Sequence, residues 1–240
     1  MPETNDDLAN WRRIQSKLNK LFVHDLKNPI SALSANLSFL DTALGRESEE
    51  VRGAVSDSKL AAEMLLKFAE NLNIIAMRES GESCSQSEIQ LETFVRVTVE
   101  RNQKFAESAG VRIELEEPLA NAPLVCQYRY AEVATENLIL SAIRHSPHGG
   151  AVDVSTFVEN DEAVISICDH GRPISKESAA TLLTREAQSE AIKQSGNRYG
   201  RGIGLYAANL AAEALNGRIT IGTRNQMTEF ALVLPLQARP

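Results

Sequence analysis

Cysteine is scarce in this chain. It occurs three times in 240 residues, at Cys84, Cys126 and Cys168, an odd number at wide spacing. That excludes a disulfide framework, and no two of them have the spacing of a metal knuckle. Thiols used in this way suit a reducing compartment, so a cytoplasmic protein is expected. Long apolar runs are missing too: nothing approaches the roughly 20 residues that a membrane span requires. Met1–Asn10 is polar and acidic, where a secretory leader would carry an apolar core. Positive charge is in deficit, with 25 Lys and Arg against 32 Asp and Glu and a formal net charge of −7. General attraction to nucleic acid is therefore not expected. No internal repeat is present. The remaining composition, 43% hydrophobic and 24% charged, is that of a globular chain long enough for one or two domains.

The first pattern present is a seam of apolar residues, Leu18, Phe22, Leu26, Ile30, Leu33, Leu37, Leu40 and Leu44. From Leu26 onward the steps alternate four and three, the spacing of a coiled-coil contact. His24 lies two residues from both Phe22 and Leu26. At about 100° per residue it points roughly 200° from the seam, toward solvent. Asn28, Ser31 and Ala35 share that outward face, and Asp25 adjoins the histidine. A helix is predicted over about 8–44, capped by Asp6 or Asp7, bent at Pro29 and closed at Gly45. A second is predicted from Ser48 to Met77, with Val51, Val55, Leu65, Leu72 and Ile75 on its apolar stripe. Two long helices joined by a short turn make an antiparallel hairpin with apolar surface to spare, which a second copy would cover in a four-helix bundle. Glu79–Gln86 is small and polar and reads as a linker. The expected domains are 1–78, a linker at 79–87, and 88–240.

Beyond the linker the periodicity changes. Helices are predicted over Ile89–Ala109, Arg129–His145 and Ile203–Leu215. Strands are predicted over Val111–Leu115, Leu124–Gln127, Ala151–Val158, Ala163–Cys168, Arg218–Gly222 and Thr228–Leu234, with a hairpin turn at Asn160-Asp161. Hairpins dominate, so the expected fold is an α/β sandwich on a mixed sheet. Three clusters in this half bear on phosphate and nucleotide chemistry. Gly200-Arg201-Gly202-Ile203-Gly204-Leu205 leads into a helix, where glycines let the backbone approach a phosphate and the helix start offers free N–H groups. Asp169-His170-Gly171-Arg172-Pro173-Ile174 ends a strand in a carboxylate. Val133 through Pro147, over the last part of the predicted Arg129–His145 helix, carries Asn137, Ser141, Arg144 and His145.

His24-Asp25-Leu26-Lys27-Asn28-Pro29 resembles the H-box of two-component sensor histidine kinases. The three later clusters resemble, in the family's order, the N, G1 and G2 boxes of its Bergerat-fold ATP-binding domain, which is shared with type II topoisomerases and heat-shock protein 90. The resemblance covers roughly Leu18–Leu234. It implies a dimerisation and phosphotransfer hairpin followed by a Bergerat-type α/β sandwich. It implies that His24 takes the γ-phosphate of ATP through Nε2 with Asp25 as the assisting base, that Asn28 orients water in the reverse reaction, and that the phosphoryl group passes to an aspartate of a response-regulator receiver domain. It assigns Asp169 to the adenine amino group, with Gly171 in its turn. Asn137, Ser141, Arg144, His145, Gly200, Gly202, Gly204 and Leu205 are assigned to the rest of the nucleotide, and Asn137 and Ser141 to Mg²⁺. The expected partners are a second copy, a receiver domain and a separate sensory protein.

Three departures stand out. Ser141 replaces the second N-box asparagine, Pro173 replaces a G1 glycine, and no phenylalanine occurs between Pro173 and Gly200, where the family has an F-box. They keep open a phosphotransferase or phosphatase that has lost ATP use, and a pseudokinase scaffold that only binds partners.

Overall fold

The structure, a computed structural model, describes residues 26–28, 30–42, 49–80, 85–175, 179, 182–184 and 203–236. The chain divides into two compact units, Met1–Ser83 and Cys84–Pro240.

In the first unit, residues 26–28 and 30–42 are helical (α1), and Glu49–Ser80 forms α2. Ile30 and Leu37 of α1 are buried with Ala62 of α2, and Leu26 and Leu66 pack against them. Lys27 pairs with Glu70 at one end of this contact, and Lys59 pairs with Asp41 at 2.9 Å at the other. Early residues of α1 thus meet late residues of α2, so the two helices run antiparallel. The hairpin buries only part of the expected seam. Leu33 and Leu40 are 46% and 42% exposed, and Leu65 and Phe68 on α2 are 50% and 42% exposed. Asn28, Ser31 and Ala35 are exposed, as their helical phase requires. His24, Asp25 and Pro29 lie outside the described residues. Ser80, not Met77, ends α2. No described helix is long and apolar enough to cross a membrane.

The second unit opens with a strand where the sequence pattern predicts a helix. Ser87–Gln90 is a strand, β1, and the helix expected from Ile89 begins at Leu91 (α3, Leu91–Ser108). β1 pairs antiparallel with β3 (Pro123–Cys126), placing Ile89 opposite Leu124, and the Leu91 N–H donates to the Ala122 carbonyl at 3.0 Å. So short and polar a strand carries no periodicity of its own; its partner, over thirty positions away, defines it.

The main sheet has the order β2-β4-β5-β7-β6, with β2 Arg112–Leu115, β4 Ala151–Glu159, β5 Glu162–Asp169, β6 Arg218–Arg224 and β7 Met227–Pro235. β2 and β4 are parallel and the other pairs antiparallel, so the sheet is mixed, as expected. Two-residue turns close both hairpins. Asn160 and Asp161 have φ of 51° and 60°, and Asn225 and Gln226 have 52° and 66°, which matches the right-handed strand twist. Alternation along the strands sends Val152, Val154, Ile165, Ile167, Phe230 and Leu232 to one fully enclosed face. There α4 (Tyr128–His145) lies against β4, β5 and β7, and α5 (Gly204–Ala214) lies against α4, β6 and β7. The opposite face holds a smaller cluster, Val164, Ala231 and Val233.

Candidate functional site

Helix α4 sets out the site. Tyr130, Ala134, Leu138 and Ile139 are almost completely buried and fix its rotation. Asn137, Ser141, Arg144 and His145, spaced four, seven and eight residues along, then fall on one edge. At 1.5 Å per residue the edge spans about 12 Å from Asn137 to His145.

One end of the edge meets the start of α5. Asn137 is buried, and its Nδ2 donates to the Val133 carbonyl at 2.9 Å. A Cβ on Gly204 would come within 2.7 Å of Asn137 Oδ1, so a larger residue here would have to displace the Asn137 amide. Leu205 is buried directly behind it. Ile203 supplies no side-chain cap, so the first-turn N–H groups of α5 lack that partner, as a helix start that receives an anion would.

The other end meets the last residue of β5. Asp169 is fully enclosed, at 0% exposure. Its Oδ1 accepts the Gly171 N–H at 2.8 Å, a local turn that fixes the carboxylate. Its Oδ2 is buried and has no hydrogen-bond partner. The His145 Nδ1 lies 3.5 Å from that oxygen, in ion-pair range but short of a hydrogen bond. The His145 ring is also 6.0 Å from the Phe230 ring, tilted by 40°. A Cβ on Gly171 would come within 2.3 Å of the His145 carbonyl oxygen, so this turn too is closed to larger residues.

The sequence reasoning did not find Thr228 or Phe230. Thr228 is fully buried and pairs with Asp169 across the β5–β7 ladder. Its Oγ1 accepts the Ile174 N–H and donates to the Arg172 carbonyl, each at 3.2 Å. The hydroxyl therefore brackets Pro173, which has no N–H of its own. A threonine on the strand paired with Asp169 is a signal only once that register is known. Cys168, next to Asp169, faces the opposite side of the sheet, and burial pushes its thiol up. On that side Ser166 Oγ donates to Glu229 at 2.5 Å, and Arg224 reaches Ser155 and Glu116 at 3.2 and 3.3 Å.

The structure thus brings Asn137 together with Gly204, and His145 with Asp169 and Gly171. Ser141 and Arg144 lie between the two ends, half-buried. Asn28 belongs to the other unit, and His24, Asp25, Gly200 and Gly202 lie outside the described residues. The site offers a buried, unpartnered acceptor at one end and a close-approach helix start at the other, about 12 Å apart along α4. An N–H donor on a flat ring suits the first, and a phosphate group suits the second.

Residues 129–238 match the family described as "Histidine kinase-, DNA gyrase B-, and HSP90-like ATPase". A bacteriophytochrome of Pseudomonas aeruginosa is 28% identical over 230 residues, covering 95% of this chain and 31% of that protein. A probable sensor histidine kinase, TcrY of Mycobacterium tuberculosis, is 26% identical over 218 residues, covering 89% of this chain and 44% of that protein. The chain therefore spans less than half the length of these relatives. The Acinetobacter baumannii histidine kinase AdeS has a similar fold, with a TM-score of 0.56 over 90% of this chain and 98% of that one, at 20% identity.

Proposed function

We propose that this chain, which belongs to the two-component sensor histidine kinase family, autophosphorylates on His24 from ATP and passes the phosphoryl group to an aspartate of a response-regulator receiver domain. The observation that carries the ATP reading is the Asp169 carboxylate, fully enclosed, held by the Gly171 N–H and left with one free oxygen. That oxygen fits the exocyclic amino group of adenine, a neutral donor that would cancel the cost of an unpaired buried acceptor. The N–H groups at the start of α5, beside Gly204 and Asn137, fit the phosphates. Arg144 would add charge to the same edge.

In the transfer step the Nε2 lone pair of a neutral His24 forms a bond to the γ-phosphorus, the bond from that phosphorus to the β–γ bridging oxygen breaks, and ADP leaves with the electron pair. Asp25 accepts a hydrogen bond from Nδ1–H and stabilises the cationic ring that forms. In the second transfer a carboxylate oxygen of the receiver attacks the same phosphorus and the N–P bond breaks. Asn28, Ser31 and Ala35 are exposed on α1 and would be open to contact by that domain. The exposed Leu33, Leu40, Leu65 and Phe68 support a homodimer through the hairpin.

Magnesium finds less support. Asn137 offers one amide oxygen, turned toward Gly204, and Ser141 offers a short hydroxyl where an octahedral ion needs several well-placed oxygens. That weakness, together with Pro173, favours the second reading, a phosphotransferase or phosphatase that works without ATP. Titration calorimetry with ATP and with GTP separates the two. Micromolar-range binding of ATP and not GTP supports the kinase. No nucleotide binding, with His24 still accepting phosphate from a phosphorylated receiver, establishes the second reading. In the kinase case, Ser141→Asn raises the rate of autophosphorylation if metal ligation is what limits it.

A further inference from the structure

One oxygen in the site has two claimants. Asp169 Oδ2 is buried without a hydrogen-bond partner, and His145 Nδ1 lies 3.5 Å from it. A charge-assisted hydrogen bond between such groups closes to roughly 2.7–2.9 Å, so the pair stands apart by several tenths of an ångström. The His145 side chain is 41% exposed, so the ring can exchange protons with water while one edge faces the recess. His145 is the last residue of α4, where the helix dipole favours a cation.

The charges around the ring are few. From β5 it faces Asp169, and from β7 the uncharged Phe230. On its own helix the cationic Arg144 precedes it. In the turn after β5, His170 is directed to Asp153 at 2.9 Å, away from this pair. Asp169 is the one carboxylate among the described residues within ion-pair distance of His145.

We infer that His145 is a specificity-determining residue that competes with the nucleotide base for Asp169. With a neutral ring, Oδ2 remains free to accept the exocyclic amino group. With a cationic ring, Nδ1–H closes on Oδ2 and neutralises the carboxylate, and the base loses its acceptor. Two donors that relieve the same orphaned oxygen are negatively linked, and linkage is reciprocal: acid weakens the nucleotide, and the nucleotide expels the proton. Acidification therefore weakens nucleotide binding. The inference rests on the reading that this site takes an adenine nucleotide.

The test is titration calorimetry of the full chain with ADP, which can transfer no phosphoryl group to His24. For the natural sequence, affinity at about pH 6 should be roughly two- to fourfold weaker than at about pH 8. In His145→Phe and His145→Gln the ratio should shrink to what the phosphates of ADP contribute by their own titration, which is common to all three proteins. In buffers of different ionisation heat, the natural chain should release more protons on binding ADP at the lower pH than either variant does. Two variants of unlike shape guard against one of them failing to fold. An identical pH ratio in the natural chain and a folded variant overturns this inference alone. No ADP binding by the folded chain at any pH overturns the nucleotide reading and this inference with it.

Discussion

Replacing Asp169 by Asn should move stability and ligand affinity in opposite directions. The carboxylate is fully enclosed, yet only one of its oxygens is satisfied, by Gly171. An unpaired polar atom in such a place costs about 1–3 kcal/mol, and more when charged. Asparagine keeps the shape and keeps an oxygen for the Gly171 N–H. It replaces the orphaned anionic oxygen with a neutral NH₂, which His145 Nδ1 can accept. The ligand-free C-terminal unit should gain about 1 kcal/mol, or roughly 2–4 °C in Tm for a unit of this size. The same NH₂ presents a donor to the donor of adenine. Losing a hydrogen bond to a charged acceptor, worth about 1.5–3 kcal/mol, should weaken ATP by about 10- to 150-fold. Differential scanning calorimetry without nucleotide and titration calorimetry with it give the two numbers. A variant that melts lower and binds ATP undiminished would refute the reasoning, because it would make Asp169 a structural residue.

Further expectations concern other parts of the chain. Gly171→Ala puts a Cβ against the His145 backbone oxygen, which cannot retract as a flexible side chain would; it should cost about 1–3 kcal/mol in urea denaturation and weaken nucleotide binding as well. Leu65→Asp, at a half-exposed position of α2, should leave the helical circular dichroism unchanged while light scattering reports a monomer in place of a dimer; an unchanged mass would remove the hairpin as the dimer contact. The Cys126 thiol is pushed up to about 11 by burial. Thiolate is the reacting form, so in the folded protein near pH 8 it should alkylate about 100-fold more slowly than a thiol titrating near 9, and denaturant should abolish the difference; peptide mass mapping reads both.

The parts of the fold that were legible in the sequence are those written in local chemistry. The turn at Asn160-Asp161 is legible because both residues tolerate positive φ, and Gly110 closes α3 at φ 66° for the same reason. Helix α4 and the four longer strands are legible because a buried face imposes a period. β1 was not, because four residues with a single apolar side chain, Ile89, become a strand only beside β3. Thr228 was not, because its value lies in bracketing Pro173 from another strand. The candidate site divides in the same way. Asp169 and Gly171 share a few residues of sequence, and their hydrogen bond is local. The approach of His145 to Asp169, and of Gly204 to Asn137, depends on how α4 and α5 settle on the sheet, and no spacing in the sequence records it. The hairpin shows a further kind of gap. A single seam from Leu26 to Leu40 reads as one contact, but it serves two surfaces, Ile30 and Leu37 inward and Leu33 and Leu40 outward.

The central claim is that one histidine in the first unit receives phosphate from a nucleotide held by the second. Incubating the chain with ATP labelled at the γ-phosphate, beside His24→Ala, tests it directly. The account predicts a label that is stable to alkali, labile to acid, mapped to the peptide containing His24, and absent from the variant. Label of equal intensity in His24→Ala, or no label in a natural chain that binds ATP, would contradict it.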